Sequence, residues 1–403
     1  MFRYLRFYVT TIYTAIVTIG LFFGEYWLWL PGLIYLVGVV ITDQIFKQDY
    51  DEKPYKFSFF LDLALYLSLP SALALFFAMF WTFGTGDQDA LGVGQFIFGI
   101  TDIDVVNVRN QTAWYHYALM FVLLMVLTTA AGGLAGHELT HRTSRPFDLW
   151  LGRIAMALNW GVAFPIEHVY GHHSYVGTTK DPATAARGDT VYQHLPKAMY
   201  RTVVNAWEIE SARLEKIGAK FISFKNVLLR MSLVSILMTC FAYYCAGLVG
   251  VAGYLFVCLS TKIALEILNY VEHYGLVRES TEPVQPRHSW NCNHVVSSVF
   301  TYNLTRHSHH HADAQVHFQD LLTHSDQPEM PNGLLSAYLM TLVPPLWRKV
   351  ITPKLLEWDR EQAEKEEYGI IREANNNSGW DELKSSVANR SDDFGIPEKT
   401  AVA

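Results

Sequence analysis

Residues 114–141 read WYHYALMFVLLMVLTTAAGGLAGHELTH, and no Asp, Glu, Lys or Arg occurs in them before Glu138. A helix rising about 1.5 Å per residue crosses the roughly 30 Å hydrocarbon core of a bilayer in about 20 residues. This stretch is long enough to do so, and it ends on two histidines four positions apart. Its reading decides the fold class: an all-α, polytopic membrane protein.

The rest of the chain agrees. Of 403 residues, 51% are hydrophobic and only 17% charged, a balance that overrides the two or three soluble domains suggested by length. Six spans are expected, at about 5–24, 26–46, 57–84, 113–136, 226–249 and 251–274. The first apolar stretch is too long for a signal peptide and lacks a small-residue cleavage site, so it is read as a span. Short-loop cations set the orientation. Arg3, Arg6, Lys47, Lys53, Lys56, Arg142, Arg145, Arg153, Lys220, Lys225 and Arg278 fall on one side. Asp87, Asp89, Asp102 and Asp104 fall on the other, with Arg109. Both termini are therefore expected in the cytoplasm. Residues 147–164 are read as a re-entrant or interfacial helix and 333–350 as an amphipathic interfacial one. A catalytic domain is expected over 1–353, followed over 354–403 by an acidic, partly disordered tail. Net charge is −7 with no basic stripe, which excludes nucleic acid as a partner. The four cysteines form no CxxC pair and read as buried hydrophobes.

Ten of the sixteen histidines fall in four groups: HELTH (His137, His141), EHVYGHH (His168, His172, His173), NYVEHYG (His273) and RHSHHHAD (His307, His309, His310, His311). The expected topology brings all four to the cytoplasmic surface, as a helical cap carrying a metal centre. Positions i and i+4 share a helix face, so His137 with His141 suits two imidazoles on one ion, and His168 with His172 repeats the spacing. Zinc takes four ligands and a zincin needs only three from protein, so nine or ten imidazoles are too many. Nitrogen-rich shells with open positions suit redox iron, and two irons use this number. Glu138, Glu167, Glu272 and Asp313 are candidates for carboxylates that fix histidine tautomers. Lys262, Glu266, Asn269 and His273 share one face of the last span. They read either as a packing pair, Lys262 with Glu266, or as a polar path orienting His273.

These motifs resemble those of the membrane-bound alkane 1-monooxygenases, HELxH, EHxxGHH, NYxEHYG and RHSxHHA, over about 130–320. The resemblance implies a non-haem diiron centre held by His137, His141, His168, His172, His173, His273, His307, His310 and His311. It also implies O2 as co-substrate, terminal hydroxylation of medium-chain n-alkanes, and a bacterial inner-membrane location. Electrons would come from rubredoxin fed by an NADH-dependent reductase. Two departures are Arg142, where the family usually has Lys, and His309, where it usually has Asp. No CxxC pair follows residue 311, so the donor is expected to be a separate protein or to lie outside the sequence given. A fatty-acid or lipid desaturase or hydroxylase is the alternative. A metalloprotease using HELTH, with Glu138 as base, leaves three histidine groups unexplained.

Overall fold

A computed structural model describes residues 2–46, 48–50, 52, 54–323 and 327–388. The described residues are helical, with two isolated bridges in place of strands. Four helices are long and apolar enough to cross a membrane: α1 (Arg3–Phe23), α3 (Ser58–Thr82), α6 (Trp114–His141) and α10 (Val227–His273). Helix α2 (Leu30–Phe46) is apolar but shorter, at 17 residues. At 47 residues, α10 would measure about 70 Å if straight, more than twice a bilayer core. It breaks instead at Ala246 and Gly247, where Gly247 takes φ 59°. Ser235 and Tyr254, one on each arm, reach the adjacent carbonyls of Ala157 and Leu158, so the arms run side by side. They coincide with the last two expected spans.

Between α3 and α6 the sequence suggested only an acidic loop. The structure has two helices there, α4 (Val93–Thr101) and α5 (Val105–Gln111), bent 111° apart. Phe96 and Ile100 of α4 face outward, apolar and exposed.

The metal side of the fold is built on α6. Helix α7 (Pro146–Ala157) crosses it closely, because a Cβ on Gly152 would lie 2.8 Å from the Gly136 carbonyl oxygen. The Arg142 guanidinium then ties three elements together: it donates to Asp62 of α3 at 2.5 Å, to Asp148 of α7 at 3.1 Å and to Glu138 of α6 at 3.1 Å. A lysine would bring one point charge to this cage, where arginine brings a planar fork. The stretch read as interfacial therefore packs beneath the histidines through α7. The segment α8 (Phe164–Glu167, His168–His172 and His173–Tyr175) follows, then α9 (Val191–Lys216).

Two short helices, α11 (Val295–Phe300) and α12 (His307–Ala312), close the other side. Residues 333–350 contribute α13 (Leu334–Thr341) and the start of α14 (Pro344–Glu361), so the expected boundary at 354 falls inside a helix. Beyond it, α15 (Tyr368–Asn377) and α16 (Asp381–Ala388) pack back onto the fold, with Ile371, Asn375 and Leu383 buried. Buried Arg187 binds Asp359 through two nitrogens at 2.7 Å, and it also donates to Asn375 and to the Gly275 carbonyl. Of the stretch read as a tail, residues 354–388 are thus largely helical and pack on the fold; 389–403 lie outside the described residues.

Candidate metal centre

Nine of the ten motif histidines converge in two adjoining sets. Nitrogens of His137, His141, His168, His173 and His310 lie within 4.8 Å of one another, as do those of His172, His273 and His311. His307 joins the second set, with its Nε2 3.0 Å from that of His273 and 3.1 Å from that of His311. The sets touch where the His173 and His311 rings stack, 4.1 Å apart. His309 belongs to neither: its Nδ1 accepts from the Leu322 backbone N–H at 2.8 Å.

The partition departs from the helical spacing. His168 and His172 are four apart but serve different sets, while His168 pairs with His173, five apart. Residues His168–His172 form a π turn in which the His173 N–H reaches the His168 carbonyl. That i→i+5 bond adds a residue to the turn and brings His173 round to the face of His168. A second π turn, Thr129–Leu134, lies just before His137 in α6. In α12, His307 and His311 go to one set and His310 to the other.

The residues fit metal ions. Within the first set, Nε2 of His168 lies 2.6 Å from that of His137 and 3.2 Å from that of His173, and His141 and His137 are separated by 3.3 Å. An ion bound at roughly 2.1 Å, the usual imidazole–metal distance, holds neighbouring nitrogens roughly 3.0 Å apart. His172 Nε2 and both His310 nitrogens are buried without a hydrogen-bond partner. Burial drives His168, His173, His310 and His311 well below the usual histidine range, and neighbouring imidazoles add to this. His307 is pushed down to about 3, chiefly by burial. Neutral imidazole is the ligand form. Burial also opposes charge on His172, but the Asp181 carboxylate outweighs it and raises its pKa.

Outer contacts orient the second set. His172 Nδ1 meets Asp181 Oδ2 at 2.9 Å, and Asp181 is itself held by Thr184 Oγ1 and the Ala183 N–H. His307 Nδ1 donates to the Leu304 carbonyl at 3.3 Å, and His273 Nδ1 meets Ser289 Oγ at 3.4 Å. Each contact turns Nε2 inward. An apolar pocket of about 20 Å³ opens beside the sets, lined by Leu134, His137, Phe164, His168, Glu272 and His307 among others. Leu134 and Leu268 also line a larger cleft of about 100 Å³, walled by Tyr35, Met125, Val126 and Phe300. A polar groove of about 590 Å³ around Arg287 and Lys354 contains none of the nine histidines.

The fatty acid desaturase family profile matches residues 112–336, which hold every one of these histidines. The chain belongs to the fatty acid desaturase family. Among curated relatives, alkane 1-monooxygenase of Pseudomonas putida is 31% identical over 69% of this chain and 72% of its own length. Alkane 1-monooxygenase 2 of Alcanivorax borkumensis is 37% identical over 55% of the chain and 59% of its own length, so the chain spans about three fifths of that relative. The xylene/toluene monooxygenase hydroxylase component of Pseudomonas putida is 29% identical over 93% of the chain and 95% of its length.

The desaturase-family centre treats the other expected carboxylates unevenly. Glu138 is held by Arg142. A Glu272 oxygen lies 3.5 Å from His307 Nε2, the nitrogen that faces the set, so Glu272 borders the pocket. Glu167 is pushed up to about 8 by burial and then by Asp181. Glu266 accepts from Asn269 at 3.3 Å. Asp313 is exposed and caps the Gln315 N–H, away from the histidines. Asp181 and Ser289 escaped the sequence reading because each sits in a loop with no periodic relation to its histidine.

Proposed function

We propose that the protein is a membrane-bound alkane 1-monooxygenase, turning an n-alkane, O2, two electrons and two protons into a 1-alkanol and water. The observation that carries this reading is the small pocket flanked by both histidine sets. Its 20 Å³ is little more than a water molecule occupies, room for one methyl group. The cleft behind it has apolar walls with no Lys or Arg, as suits a substrate without a polar handle. Leu134 and Leu268 would guide the chain end while the rest stays among lipid-facing helices.

His137, His141, His168, His173 and His310 would hold one iron, and His172, His273, His307 and His311 a second. Bound iron supplies the redox chemistry that activates O2 and hydroxylates a C–H bond. Asp181, Ser289 and the Leu304 carbonyl keep three imidazoles in the ligand tautomer, and Arg142 braces α6 against α3 and α7. Six spans, with the two arms of α10 counted separately and α2 included, would put the centre and both termini on the cytoplasmic side of the inner membrane. The relatives named alkane 1-monooxygenase support an electron-transfer partner, for which rubredoxin with its NADH-dependent reductase is the proposal.

The lack of a cation in the cleft disfavours a fatty-acid substrate. A second reading, hydroxylation of a methyl group on an aromatic ring, draws on the relative that matches nearly the whole chain and on Tyr35, Phe300 and Tyr338 in the cleft. The test is iron analysis of the purified protein with product identification under heavy-isotope O2. Linear alkanes of graded length, p-xylene and a fatty acid are offered in turn. Labelled 1-alkanols are expected. Benzylic alcohol alone, or an unlabelled alkene, refutes the alkane assignment.

A further inference from the structure

The two most exposed large hydrophobic side chains among the described residues are Ile222, 84% exposed, and Phe224, 81% exposed. Both sit in the loop from α9 to α10, residues 217–225, IGAKFISFK, where Ile217 and Phe221 are also exposed. Side chains this bare in a floppy loop would mean little. This loop is held in shape. Asn226 Nδ2 donates to the Phe221 carbonyl at 3.0 Å and Ser223 Oγ to the Lys220 carbonyl at 2.7 Å. Arg213 donates to the Lys225 carbonyl, and Glu210 accepts from the Val227 N–H that opens α10. The Trp207 and Phe221 rings pack 5.2 Å apart. Side-chain bonds thus brace the loop while its apolar side chains are turned outward.

The charge around them is mainly of one sign. Lys216, Lys220 and Lys225 are exposed, and Glu215 is the one carboxylate between 211 and 230. The loop ends where α10 begins, and the outward face of that helix continues the apolar surface through Leu233, Ile236 and Leu237. The first arm of α10 starts on the side where its second arm ends at His273. An apolar tip ringed by lysines at the end of a spanning helix has the chemistry of a bilayer interface, with the tip among acyl chains and the ammonium groups at lipid phosphates.

We propose that residues 217–225 form a preshaped anchor that enters the leaflet on the histidine side and selects anionic phospholipid. This rests on α10 crossing the bilayer and is independent of the substrate. A spin label on Ile222→Cys, in full-length protein with the exposed Cys240 changed to Ser, reports depth by its accessibility to O2 against a water-soluble nickel complex. Phe224→Cys gives a second reporter, and iron content checks folding. In phosphatidylglycerol-rich vesicles both labels should lie about 5–10 Å below the headgroup surface. They should move toward water in pure phosphatidylcholine, and also when Lys216, Lys220 and Lys225 are all Gln. Nickel-accessible labels in both lipids overturn the anchor. Equal depth in both lipids, unchanged by the lysine substitutions, overturns the anionic preference. Protection that appears only on adding an electron-donor protein overturns the proposal in favour of a protein-docking loop.

Discussion

Asp181→Asn tests whether the two histidine sets are separate ion sites with separate outer supports. The Asp181 Oδ2 atom accepts from both His172 Nδ1 and Thr184 Oγ1, while Oδ1 accepts from the Ala183 N–H. An asparagine amide cannot replace both oxygens. With its NH2 toward His172, it donates to Nδ1 and leaves the ring proton on Nε2, the atom that must bind metal. With the NH2 toward Ala183, two donors face each other. Loss of such a partner lowers metal affinity about 10–100-fold, or about 1.4–2.7 kcal/mol. Only the set of His172, His273, His307 and His311 should suffer, because Asp181 touches no histidine of the other. In a chelator titration of iron-loaded protein, one of two release phases should shift by that factor and the other should stay. Two unshifted phases would refute the tautomer argument. Equal shifts in both would show that Asp181 supports the fold rather than one ion.

His309→Asp should keep both ions and most activity, since a carboxylate can accept the Leu322 N–H that His309 Nδ1 accepts now; loss of one ion by metal analysis would make His309 a ligand. Truncation after residue 375 should not be silent, because it removes Leu383 and the Trp380 ring that stacks on Tyr274, next to His273. Burial of two such side chains is worth about 3–6 kcal/mol, so the melting temperature should fall, and an unchanged one would show the segment to be dispensable. Gly133→Phe should cost about 1–3 kcal/mol by overpacking against Leu265, 3.4 Å from a Cβ at that position, and should favour short substrates over long ones in a competition assay. Acid should weaken the metal-free fold. His307 has its folded pKa near 3 against about 6.5 unfolded, so the unfolded chain binds more protons between these values. Stability of the metal-free protein is therefore full above about pH 6.5 and declines below it, by about 1.4 kcal/mol at pH 5.5 for this residue alone. The melting temperature of the metal-free protein followed across this range should fall as pH falls; a flat profile contradicts the burial.

Much of this was legible because membranes and metals impose short-range patterns. An apolar run of bilayer length is visible in any window, and so are histidines that end it. Contacts that depend on distant segments left no such trace. Arg142 reads as a loop cation until α3 brings Asp62 to it from 80 residues away. The stretch from 354 read as a tail because its composition is polar and acidic, yet Ile371 joins a buried apolar cluster and Asn375, one turn on, accepts from the buried Arg187 that only the fold assembles.

The histidine spacing is the sharpest case, since the pattern was visible and its geometric meaning was not. Spacing of four implies a shared face only while the turn holds 3.6 residues. In EHVYGHH the turn widens, so one short segment delivers His168 and His173 to the first set and His172 to the second. A regular helix would keep His168 with His172 and swing His173 away, giving two incomplete sets. Gly171 stands inside this turn, where an added Cβ would meet Glu167 Oε1 at 2.8 Å. The glycine that separates the histidine pair from the rest of the motif is thus where the widened turn lies against a buried carboxylate. The widened turn, rather than the spacing alone, is what ties this motif to two histidine sets instead of one.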